Sequence, residues 1–184
     1  MIYLISGASR SGKSMVAKSL MAQKGIPYMP VDSIMMGFMN GIPSMGIHDK
    51  LWPDEIAEKI WTFLKAVCEN MINNDIDYAF EGEAFLPCNV KELVDKYPNM
   101  VKVCYMGFSN ISIEQKIISV KKYSNGKNDW LIHQNEGYIH NHIENMIYYS
   151  KKIKRECEIH NVKYIDTDVN FQKSIDDIVN YLIN

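Results

Sequence analysis

The 184-residue sequence predicts an α/β protein, a three-layer sandwich in which helices cover both faces of a five-stranded parallel sheet. Five short apolar runs, each suited to a buried strand, alternate along the chain with stretches of helical periodicity. The first run, Ile2–Ile5, leads through a glycine-bearing turn, Gly7–Ser14, straight into a helical stretch. No internal repeat, low-complexity segment or Pro/Gly/Ser-rich linker divides the chain, so residues 1–184 are expected to form one domain.

Met15–Met21 reads as the first helix, with Gly25 as its stop. Ile26–Val31 is a second extended run, and Pro27 and Pro30 confine it to a sheet edge, where missing N–H donors are tolerated. Residues 33–51 carry three glycines and four methionines without clear periodicity, and predict a short helix followed by a mobile loop over the functional site. Pro53, Asp54 and Glu55 suit a first helical turn; Ile56, Ile60, Phe63, Leu64, Val67 and Met71 then share the face of a helix reaching about Asn73. Asp75–Glu81 is the third strand, Val90–Lys96 a short helix and Met100–Met106 the fourth strand. Ser112 followed by Gln115 resembles a capping box, opening a helix with Ile113, Ile117 and Val120 inward; the polar stretch Tyr123–Asp129 should break it. A long helix from about Glu136 to His160 places Ile139, Ile143, Met146, Ile153 and Cys157 on one stripe. Val162–Asp166 is the last strand and Phe171–Ile183 the last helix.

The turn Gly7-Ala8-Ser9-Arg10-Ser11-Gly12-Lys13-Ser14 matches G-x-x-x-x-G-K-[ST], and it sits between strand and helix as the mechanism of that pattern requires. Gly7 and Gly12 permit backbone angles closed to other residues, so that successive N–H groups can point inward at phosphate oxygens. The helix start adds unpaired donors and the positive end of a dipole. Lys13 is expected to reach the β- and γ-phosphates of ATP, and the Ser14 hydroxyl to ligate Mg²⁺. Arg10 and Ser11 are expected to supply only variable turn positions.

In a parallel sheet, ligands gather at the carboxyl ends of the strands, which selects Asp32, Glu81, Glu83 and Asp166–Asp168 as residues converging with the turn on one crevice. Asp32, after the second strand, can orient and deprotonate an attacking hydroxyl; its plainer role is to cap the next helix. Glu81 ends the third strand, where an acid holds Mg²⁺, usually through water. Glu83 lies two residues on, and adjacent carboxylates repel unless a cation sits near. Lys116, Lys121, Lys122 and Lys127 fall where a lid, residues 112–135, could close over phosphates, though such runs are commonly solvated helix faces. Trp130 could stack on a ligand or anchor a small satellite core. His140 and His142 are two apart on a predicted helix and point in different directions, so no metal is assigned to histidine.

Bulk properties agree. Hydrophobic residues make up 47% and charged ones 23%, an ordinary globular composition, and the net charge of −2 without a basic tract gives no footprint for nucleic acid or a membrane surface. Four widely spaced cysteines, Cys68, Cys88, Cys104 and Cys157, read as reduced, buried small hydrophobes. The first apolar run is too short for a signal peptide and no later run approaches spanning length, so a cytoplasmic location is expected.

With the phosphate loop, Asp32, Glu81-Gly82 and five strands in place, the chain resembles the P-loop kinases of small molecules, nucleoside, nucleotide and shikimate kinase-like proteins, with zeta-toxin-like and antibiotic-phosphorylating members among them. The resemblance implies a sheet order of 2-3-1-4-5, ATP and Mg²⁺, a base at Asp32 and a lid helix after the fourth strand. One departure is informative. Nucleoside monophosphate kinases hold their two phosphorylated substrates with several arginines, whereas this chain has only Arg10 and Arg155, and lysine lacks the planar two-pronged fork. The expected activity is therefore ATP- and Mg²⁺-dependent phosphoryl transfer to a hydroxyl of a metabolite, nucleoside or antibiotic, in a monomer or homodimer. A nucleoside monophosphate kinase and a non-catalytic nucleotide-binding sensor are the alternatives. A GTPase is excluded, because the segment nearest to its guanine-reading motif has Gly126 where the amide belongs and follows a helix.

Overall fold

A computed structural model describes residues 1–123 and 129–184. The five strands, β1 (Ile2–Gly7), β2 (Tyr28–Pro30), β3 (Tyr78–Glu81), β4 (Val101–Gly107) and β5 (Tyr164–Asp166), form one all-parallel sheet in the order β2-β3-β1-β4-β5. The central strand β1 is buried along its whole length, pairing Ile2 with Tyr78 on one side and Val101 on the other.

Strand alternation divides the core into two layers. Ile2, Leu4, Phe80, Val103 and Tyr105 face α3 (Pro53–Asn73), α4 (Pro87–Lys96) and α6 (Glu136–Ile159) through Ile60, Leu64, Val90, Leu93, Ile143 and Ile153. Tyr3, Ile5, Ala79, Cys104 and Met106 point the other way, onto Val16 and Leu20 of α1 (Lys13–Lys24) and Ile175, Ile178 and Leu182 of α7 (Phe171–Ile183). Both faces are thus covered, as the near-continuous apolar strands require.

The prolines place β2 at the sheet edge, as expected, and the strand is short because Val31 already opens α2 (Val31–Gly41). The third strand is also shorter than expected: Asp75 takes a left-handed conformation (φ 55°), turning the chain out of α3, and pairing begins only at Tyr78. On α3 the buried stripe is Ile56, Ala57, Ile60, Leu64, Cys68 and Ile72; Phe63 is a correction, 43% exposed and set edge-on against Phe38 of α2. Cys88 is another, lying exposed while Cys68, Cys104 and Cys157 are buried. In α5 (Ile113–Tyr123) the capping box forms, Gln115 N donating to Ser112 Oγ at 3.2 Å, and Val120 is buried with Ile113 and Ile117 packed on the core. No described helix is long and apolar enough to cross a membrane.

Candidate active site

The glycine-rich turn lies where β1 ends in mid-sheet, and its shape depends on the absence of side chains. Gly7 has φ 122°, and a Cβ there would fall 1.8 Å from the Met106 carbonyl oxygen of β4. Gly12 has φ 104°, and its Cβ would meet Ile175 of α7 at 2.6 Å. The loop is therefore pressed against two neighbouring elements, and only glycine meets both the angle and the space. No side chain caps α1, and the N–H groups of Met15 and Val16 donate back to the Gly12 carbonyl at 2.9 and 3.2 Å. The Ser11 hydroxyl is buried without a hydrogen-bond partner among the described residues, which is costly unless a ligand supplies one.

Three groups of side chains surround this loop. At its floor, Ser14 Oγ donates to Glu81 Oε1 at 2.9 Å, joining the first turn of α1 to the tip of β3. Glu81 is 6% exposed, and burial pushes its carboxyl above the usual range; the Ser14 hydrogen bond and Lys13 oppose that rise, while Asp32 and Glu83 add to it. Lys13 folds back, donating to the carbonyls of Gly7 (3.2 Å) and Ala8 (2.8 Å), with Glu83 Oε1 at 3.8 Å. Ser14 Oγ and the Glu81 carboxylate are oxygen donors of the kind a divalent cation takes, while no group of three or more acidic, histidine or cysteine side chains is gathered for a metal among the described residues.

Above the loop, Lys116 of α5 is 6% exposed, donates to the Arg10 carbonyl at 3.1 Å and lies 3.4 Å from the Phe108 ring centroid. Desolvation, reinforced by Arg10 and Lys13, lowers its pKa from 10.5 to about 7 against the pull of Asp168. Of the four lysines considered in the sequence, this one reaches the loop; Lys121 and Lys122 are exposed, and Lys127 lies outside the described residues, as does the side chain of Trp130. The expectation for Arg10 needs correction. Its guanidinium makes two parallel hydrogen bonds to buried Asp129, one of 2.7 Å, while its backbone holds a left-handed φ of 57° that costs about 1–3 kcal/mol. Arg10 thus ties the loop to the chain beyond α5.

On the opposite side, beyond Ser9, opens a cleft of about 430 Å³. Asp32, Asp49 and Glu83 contribute carboxylates to it; Met35, Trp52, Met146 and Tyr149 give it an apolar and aromatic wall. Asp32 sits exposed in the first turn of α2 without making a side-chain cap, so its capping role is not realised. The Tyr149 hydroxyl donates to the Glu83 carbonyl at 3.3 Å and holds the turn after β3 in place. Asp166 and Asp168 do not join the cleft. Asp166 binds Ser109, Tyr164 and Lys154, and Asp168 accepts from Asn110 N at 3.1 Å, so both brace the turn after β4.

The sequence carried a sign of Lys116 that was not used. It stands three residues after Ile113 and four before Val120, a charge placed on the apolar stripe of its own helix. Nothing local marked the Arg10–Asp129 pair, whose members are 119 residues apart, or the role of Asp49 and Trp52 in the cleft.

The chain has the fold of the P-loop small-molecule kinases. A gluconokinase from Sinorhizobium meliloti 1021 superposes with a TM-score of 0.58 over 98% of this chain and 90% of that one, at 14% identity. Shikimate kinase from Aquifex aeolicus vf5 gives 0.52 over 100% and 96%, at 17% identity. The Bacillus subtilis YorR protein, solved in complex with phosphorylated GDP, gives 0.54 over 100% and 94%, at 13% identity. No protein-family model matches the chain, and no curated protein sequence does either.

Proposed function

We propose that this chain is a cytoplasmic kinase that transfers the γ-phosphoryl group of ATP, bound with Mg²⁺, to a hydroxyl of a small molecule. The observation that carries this reading is the meeting, at one end of the sheet, of the glycine-rich loop, the Ser14–Glu81 pair and the cleft lined by Asp32. In this reading the amides of Gly7–Ser14 and the Ser11 hydroxyl cradle the triphosphate, and Lys13 exchanges its carbonyl partners for phosphate oxygens. Ser14 and Glu81 hold Mg²⁺, which supplies charge neutralisation at the transferred group. Asp32 positions the acceptor hydroxyl and takes its proton. Lys116, on α5, adds positive charge where the transition state gathers negative charge; the lid expected over residues 112–135 lies partly outside the described residues.

A phosphorylated acceptor is disfavoured, because no arginine or lysine lines the cleft among the described residues. The fold neighbours that are a gluconokinase and shikimate kinases support a hydroxylated acceptor. The test is incubation with labelled ATP, Mg²⁺ and a metabolite library, with phosphorylated products read by mass. Transfer to an alcohol is the expected result; transfer to nucleoside monophosphates alone selects the nucleotide kinase, and tight ATP binding without transfer or hydrolysis selects a nucleotide sensor.

A further inference from the structure

Resting on the reading of this cleft as the acceptor site, we infer that the acceptor is an alcohol carrying a protonated amine. Three carboxylates, Asp32, Asp49 and Glu83, contribute to the lining of a single cavity of about 430 Å³, no lysine or arginine lines it among the described residues, and its imidazole, His142, is pushed towards the neutral form by burial and by Arg10. Lys13 lies against one of the three, 3.8 Å from Glu83, and Asp32 and Asp49 take part in no ion pair among the described residues. A cleft lined by one sign of charge between low-dielectric walls concentrates ligands of the opposite sign. The bound triphosphate would stand at the mouth of the same cleft beyond Ser9 and deepen that negative potential. A carboxylate-bearing acceptor would enter without a partner for its charge and lose its hydration, a cost that an unpaired anion cannot recover.

The remaining wall agrees with the same chemistry. Trp52 lies three residues after Asp49, also lines the cleft and is 47% exposed, so an ammonium group held by the Asp49 carboxylate can also rest on an indole face. Met35, Met146 and Tyr149 offer an apolar surface to the body of the molecule. Asp32, in the first turn of α2, then remains for the hydroxyl, and Asp49 for the amine.

The experiment uses the full chain with Mg²⁺, a non-hydrolysable ATP analogue and a series of alcohols identical except for one substituent: ammonium, methyl or carboxylate. Binding is measured by calorimetry and transfer, with ATP, by mass. The ammonium member is expected to bind at least tenfold more tightly than the carboxylate member, with the preference shrinking at high salt. Asp49→Lys is expected to erase it, the unfolding midpoint confirming that the variant folds. Equal or tighter binding of the carboxylate member, a preference unmoved by Asp49→Lys, or no binding by any member overturns the inference. Ammonium-selective binding that depends on Asp49, with no phosphoryl transfer, upholds the charge preference and removes the kinase reading instead.

Discussion

Replacing Lys116 by methionine is expected to make the protein more stable and, on the proposed reading, to lower phosphoryl transfer. Lys116 is buried against Phe108 with Arg10 and Lys13 nearby, and the fall of its pKa from 10.5 to about 7 measures what the folded state pays to keep it charged. A difference of that size corresponds to about 5 kcal/mol. Its sign follows from proton binding: below pH 7 both folded and unfolded chains hold the proton and the penalty is complete, whereas between pH 7 and 10.5 the unfolded chain binds more protons and stability rises with pH. The penalty falls to about 2 kcal/mol at pH 9 and vanishes above 10.5. Methionine fills the same slot without charge, so the variant's advantage should be several kcal/mol at pH 6 and shrink steadily towards alkaline pH. Denaturant titrations of both proteins at pH 6, 7.5 and 9 check this, alongside turnover at each pH. A stability difference independent of pH, or a variant less stable at pH 6, would refute the reasoning that a buried charge penalised by desolvation stands over the glycine-rich loop. Stability gained together with turnover lost would mean that the charge is kept for a ligand.

Other perturbations probe the loop and its acids. Lys13→Ala removes one preorganised charge from the glycine-rich loop and, on the proposed reading, should cost on the order of 3 kcal/mol of transition-state stabilisation, read as a loss in kcat/KM; full turnover removes Lys13 from the reaction. Asp32→Asn should collapse kcat while ATP affinity, followed by calorimetry, holds; an unchanged rate excludes it as the base. Glu81→Gln should weaken Mg²⁺ dependence, raising the metal concentration for half-maximal activity at least tenfold, and a metal titration that superposes on the parent assigns the ion elsewhere. Gly7→Ala puts a Cβ 1.8 Å from the Met106 carbonyl at φ 122°, so nucleotide binding should disappear with a loss of stability of several kcal/mol, visible in the unfolding midpoint; an unaltered midpoint would contradict the close packing of β1 on β4.

The sheet was legible because its signals are local. The apolar runs Ile2–Ile5 and Met100–Met106, the prolines of β2 and the capping box at Ser112 each act through neighbours a few residues away, and all three reappear in the structure. The exact limits of β3 were not legible, since Ile76 carries the apolar alternation of Tyr78 and Phe80 back towards α3, whereas Asp75 takes a left-handed turn and pairing begins only at Tyr78. Phe63 was misplaced for a related reason: its spacing fits the buried stripe, but an edge-on contact with Phe38 of α2 competes for it, and that partner lies 25 residues away. Within the site, Gly7–Ser14 and Glu81 could be read directly, because a motif and a strand end fix their positions.

The layered α/β frame, the glycine-rich loop and the acids at the strand tips could be read along the chain, because periodicity, glycine spacing and caps are short-range properties. Which charges meet was settled by packing. It seated Lys116 over the loop, closed Arg10 on Asp129, turned Asp166 and Asp168 away from the cleft and left Asp32, Asp49 and Glu83 around one cavity. Coulomb and desolvation energies depend on distances through space and on burial, and neither is fixed until helices from distant parts of the chain have packed against the same sheet.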